Sequence, residues 1–64
     1  MEDFQQRVID EKLVTERNLT NLDKFIFESK VYESLSDSEK IRLTRQSHIM
    51  NMLVEVLEER IAAF

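Results

Sequence analysis

Apolar residues recur every three or four positions along most of the chain, the spacing of helices that bury one face. A first helix can start at Asp3, a suitable N-cap, and run to about residue 29. Projected at about 100° per residue, Phe4, Val8, Leu19, Leu22, Phe25 and Ile26 share one face, with Val14 at its edge. Glu11, Thr15 and Asn18 fall inside that apolar arc, and Ile9 and Leu13 lie on a different side. The helix therefore carries a seam with a polar interruption near its middle and a lesser second apolar patch.

A joint is expected at about residues 30–35, plugged by Tyr32 and Leu35. The next boundary is sharper. Ser36-Asp37-Ser38-Glu39 fits the S-x-x-E capping box, in which Ser36 accepts from the amide of Glu39 while Glu39 reaches back to the amide of Ser36. Asp37 and Glu39 also suit the positive end of a helix dipole. The second helix is expected over about residues 36–63. Leu43, Gln46, Met50, Leu53, Leu57, Arg60 and Phe64 alternate spacings of three and four, a heptad seam. A second stripe follows Ile41, Arg45, His48, Met52 and Val56, with Ile49 between the two. A helix with two stripes packs against two neighbours.

The fold class expected is all-α: a single antiparallel helical hairpin that assembles as a homo-oligomeric helix bundle. Folding at residues 30–35 pairs Leu22 with Leu43, Thr15 with Met50, Val8 with Leu57 and Phe4 with Ile61. Asn18 or Leu19 then meets Gln46, so the polar positions of the two seams lie at a similar height. Such a layer suits either a register-setting role or contact with a ligand. Two helices cover only one side of each other. Ile9, Leu13, Ile49, Met52 and Val56 are left over as an interface between copies, and small scaffolds without disulfide or metal commonly meet this shortage by oligomerising.

Composition sharpens the picture. The chain has 64 residues with no Gly, Pro, Cys or Trp. A β-protein of this size normally spends glycines on its turns. The absence of cysteine excludes a disulfide framework, a thiolate zinc site and a thiol redox switch. Catalytic residues are not expected: there is no Cys nucleophile, no G-x-S-x-G and no glycine-rich phosphate loop. His48 is the one imidazole, and Arg45 precedes it where the helical di-iron pattern requires Glu. Neither a metal nor another cofactor is therefore expected.

Charge is uneven. Thirteen acids outweigh nine bases, for a net charge of −4. Lys40, Arg42, Arg45 and His48 nevertheless make the start of the second helix basic, while Glu55, Glu58 and Glu59 make its end acidic. Duplex DNA binding relies on many cations and is disfavoured. Membrane binding is disfavoured too, since neither helix has a strongly basic polar face. No apolar run approaches the roughly 20 residues needed to span a bilayer. A cytoplasmic protein is expected.

The opening Phe4-Gln5-Gln6-Arg7-Val8-Ile9-Asp10-Glu11-Lys12 resembles a group of small proteins from tailed phages and prophages that begin aromatic-Q-x-R-V-x-[DN]-E. Their later elements would be Phe25-Ile26, Tyr32, Leu35, Glu39, Leu43, Gln46, Met50, Leu57 and Arg60-Ile61. The resemblance implies a phage origin, hence the host cytoplasm, and a small accessory role; it assigns neither a reaction nor a binding site. Small phage proteins of this kind often act by stoichiometric binding. One reading is a counter-defence protein that sequesters a nucleotide immune signal between subunits. Its candidate ligand residues are Glu11, Thr15, Asn18, Tyr32, Arg42, Arg45, Gln46 and His48, with Tyr32 stacking on a base. The alternatives are a protein-binding inhibitor or adaptor of a host or defence protein and a small RNA-binding hairpin.

Overall fold

The computed structural model describes residues 1–64. It is all-helical: α1 spans Asp3–Glu28, α2 is a single turn at Lys30–Glu33, and α3 spans Asp37–Ala62. The two long helices pack against each other as a hairpin. The N-cap of α1 is Glu2, one residue before the expected Asp3. The Glu2 N–H donates to Gln5 Oε1 at 2.9 Å, satisfying an amide that the helix leaves free.

Serines punctuate the chain in place of glycine and proline. Ser29 is extended, ends α1, and accepts from the Val31 N–H at 3.1 Å to start α2. Ser34 donates to the Val31 carbonyl at 2.6 Å. Ser36 accepts from the Glu39 N–H at 3.1 Å and caps α3. Short hydroxyl side chains can make these local bonds to the backbone, so the reversal is achieved with no residue at positive φ. The capping box at Ser36 is only half made. The Glu39 carboxylate turns along the helix to accept from Arg42 Nε at 3.0 Å.

The helical turn within the joint changes the register. A fold centred on residues 30–35 would set Asp23 opposite Arg42 and Lys12 opposite Leu53. Instead Ser47 donates to Asp23 and Lys12 reaches Glu58 at 4.0 Å, more than a turn farther along α3. Phe4 meets Phe64, not Ile61, with ring centroids 5.8 Å apart and edge to face. Because α2 carries the chain on for one more turn, the reversal falls at Ser34-Leu35-Ser36.

The seam of α3 also differs from the one expected. Leu43, Ser47, Met50, Val54, Leu57 and Ile61 are buried or half-buried, whereas Gln46, Leu53, Arg60 and Phe64 are exposed. Both sets share Leu43, Met50 and Leu57 and alternate spacings of three and four. The inward choice of Val54 and Ile61 over Leu53 and Arg60 leaves the Arg60 charge in water. The polar layer of the hairpin is accordingly Asp23 with Ser47, not Asn18 with Gln46.

The core is thin. Only Val8, Val54 and Leu57 are buried, Leu57 completely, each worth up to about 1.5–3 kcal/mol. Tyr32 closes the joint end with its ring edge to face with Phe25 at 6.1 Å. The molecule measures 46 × 15 × 14 Å and its radius of gyration is 14.5 Å. A compact globule of this length would have a radius of about 10.7 Å. The rod exposes 5002 Å², against about 4,300 Å² for a compact protein of its mass. No helix is long and apolar enough to cross a membrane.

Candidate functional site

The first half of α3 carries the concave surface of the molecule. Three open hollows lie there, and Thr44 lines all of them. The first, about 300 Å³, is bounded by Tyr32, Lys40, Ile41, Thr44 and Arg45. The second, about 370 Å³, lies between Thr44, Arg45, His48 and Ile49. The third, about 430 Å³, takes in Asp23, Phe27, Ser47, His48 and Asn51. The lining positions of α3 follow from helical spacing: Lys40, Thr44 and His48 are four apart, as are Ile41, Arg45 and Ile49.

Tyr32 is placed by α2. Its ring rests edge-on against Phe25, and the Lys40 ammonium lies 5.6 Å from the ring centroid, a cation–π contact. Arg42 is paired with Glu39. Lys40 and Arg45, by contrast, have no carboxylate within 4.0 Å. The first hollow thus joins an aromatic ring, two uncompensated cations and the Thr44 hydroxyl, whose own proton goes to the Lys40 carbonyl at 3.0 Å. This is a donor-rich, positively charged surface on a chain of net negative charge.

The candidate ligand residues divide into two groups. Tyr32, Arg45 and His48 line adjacent hollows. Glu11, Thr15, Asn18, Arg42 and Gln46 line none of them. Thr15 is half-buried in the hairpin seam, Glu11 and Asn18 are exposed on α1, and the Gln46 amide lies 3.8 Å from Met50 Sδ. Lys40, Ile41 and Thr44 line the site without having been among the candidates. The available signal was helical spacing: Ile41 and Thr44 lie one turn before the candidates Arg45 and His48, and Lys40 belongs to the same basic segment. Of the candidate interface residues, Leu13, Ile49, Met52 and Val56 are exposed, whereas Ile9 is half-covered by the hairpin itself.

One titrating group departs from its ordinary behaviour, and it is remote from the hollows. Lys12 is held above the usual lysine range, first by its hydrogen bond to Glu16 and also by the charges of Glu16 and Glu58. No cluster of three or more His, Asp or Glu side chains is arranged to hold a metal ion.

Comparison with curated proteins and with solved structures gave no match. Comparison with protein families gave one that covers nearly the whole chain, the family described as Sequestin, over residues 2–63. Both long helices, the serine-punctuated joint and the three hollows lie within that span, and the chain belongs to the Sequestin family.

Proposed function

We propose that this protein is a non-enzymatic phage accessory protein that sequesters a nucleotide immune signal. The observation that carries the reading is the convergence of Tyr32, Lys40 and Arg45 on one hollow. The family name, which speaks of sequestration, supports it. A nucleotide needs an apolar plane for its base and cations for its phosphates. Base–aromatic stacking contributes about 1–3 kcal/mol per base. Lys40 now covers the Tyr32 ring; a stacked base would take its place, and the released ammonium would meet a phosphate beside Arg45. The guanidinium of Arg45 suits a phosphate because its forked donors match two oxygens at once.

Calorimetric titration of the full chain with cyclic dinucleotides and ADP-ribose derivatives tests the proposal. One member of that panel is expected to bind stoichiometrically and unaltered. Tyr32→Ala and Lys40→Ala are each expected to weaken it about tenfold or more. With Lys40→Ala, the dependence on salt should also fall. No heat and no thermal shift with any nucleotide of the panel would overturn the reading. So would tight binding of a short RNA that the Tyr32 variant leaves unchanged.

A further inference from the structure

The outer face of α3 carries an apolar stripe that begins at the first two hollows, with Ile41 and Ile49, and continues beyond them through Met52 and Val56. Ile41, Ile49, Met52 and Val56 are 49–61% exposed there, and Arg45, His48, Glu59 and Ala63 complete the stripe at helical spacing. We infer that a second copy of this chain packs on this face, its α3 antiparallel to the first, about a two-fold axis at Met52.

Three observations point to that occupant. The first is charge. The stripe is basic toward the start of α3 and acidic toward its end. An antiparallel pairing that sets Met52 against the partner's Met52 sets Arg45 against the partner's Glu59, and Glu59 against the partner's Arg45. Both residues are exposed and neither has an ionic partner within the chain. A parallel pairing would stack like charges instead. The second is pattern. Arg45, Ile49, Met52, Val56 and Glu59 alternate spacings of four and three, so the apolar centre is flanked at both ends by complementary charge, as a self-complementary two-fold interface requires. The third is area. The rod exposes 5002 Å², which is about 700 Å² more than a compact protein of its mass. A standard interface removes about 800 Å² from each partner.

The pairing also completes the candidate site. Opposite Ile41 the two-fold brings the partner's Ala63, so the last turn of the partner's α3 forms the missing wall of the hollow between Tyr32, Lys40, Ile41 and Arg45. Pockets that hold small ligands bury most of the ligand surface, which one face of a hairpin does not do. Arg45 can serve both contacts, since a guanidinium has five donors and a bidentate carboxylate uses two. This last step rests on the proposed nucleotide site. The pairing itself does not.

Sedimentation equilibrium of the full chain without ligand tests the pairing. The wild type is expected to sediment at twice 7.7 kDa or an even multiple of it. Arg45→Glu and Glu59→Arg each set like charges against one another twice per pair, and each is expected to weaken association about tenfold or more. Mixed together, they match at both contacts, because one chain then carries two acids and the other two bases, so association is expected to return. Met52→Glu, which sets two charges against each other on the axis, is expected to give monomers. Helical circular dichroism and the melting curve of each variant show that the hairpin still folds. A wild type that sediments as a single chain overturns the pairing, as does a mixture no stronger than its components. A silent nucleotide panel with charge rescue intact would sink only the proposed ligand.

Discussion

Ser47 donates a hydrogen bond to the Asp23 carboxylate across the hairpin, joining residues 24 apart in sequence at a part-buried height in the seam. It is the one side-chain hydrogen bond between α1 and α3. Removing the hydroxyl leaves a half-buried carboxylate oxygen without its partner. Ser47→Ala is expected to lower stability by about 1 kcal/mol or somewhat more, read from urea denaturation at fixed protein concentration. An unchanged or raised midpoint would mean that the bond holds register without adding stability.

Leu57 is the most enclosed side chain, at 1% exposure. Leu57→Ala is expected to cost about 2–5 kcal/mol. For a chain with three buried residues that is comparable with its whole stability. Loss of a cooperative thermal transition is the expected outcome. Val14, at 45% exposure, serves as the control: Val14→Ala should change stability by less than about 0.5 kcal/mol.

The half-made capping box at Ser36 separates two effects that sequence would merge. Ser36→Ala removes the acceptor for the Glu39 N–H and is expected to cost about 1 kcal/mol. Glu39→Gln leaves that cap in place, removes a surface pair with Arg42 and one first-turn negative charge, and should cost about 0.5 kcal/mol. Equal losses in thermal melts of the two variants would contradict this division.

Lys12 binds its proton more tightly in the folded chain than a free lysine does, because the ammonium donates to Glu16. A raised folded value means that the contribution is complete below the unfolded pKa of about 10.4 and is lost as pH rises through the folded value. Lys12→Gln is therefore expected to melt below the wild type at neutral pH, with the gap closing above about pH 10. A gap that widened with pH would reverse the assignment. Monitoring the melting temperature of both chains across that range decides it.

The all-helical hairpin was legible from the chain because its signals are local: apolar residues every three or four positions, a serine cap, and no glycine or proline anywhere. The register was not legible, since it depends on whether four joint residues coil or extend. Lys30–Glu33 coil because Ser29 caps them, and that single turn moves every cross-helix pair. The seam of α3 was ambiguous for a different reason. Leu43, Met50 and Leu57 fit two heptads equally well, and the choice between Leu53 and Val54 is made by packing against α1, not by spacing. Tyr32, Arg45 and His48 were visible as chemistry on a basic segment. Glu11, Asn18 and Gln46 were chosen as a polar layer in a register that the joint does not produce, and Asp23 with Ser47 takes that place.

The edge-to-face contact of Phe4 with Phe64 has a mechanical consequence. These two rings sit together at the far end of a 46 Å rod from the reversal. A force applied between them would pull at right angles to the helices and load the seam one layer at a time, so α1 should peel from α3 at low force. Pulling between Phe4 and Leu35 would instead stretch α1 along its own axis, since the backbone between those residues runs through α1 and α2 and leaves α3 outside the line of force. The seam should therefore be weak to unzipping from its open end.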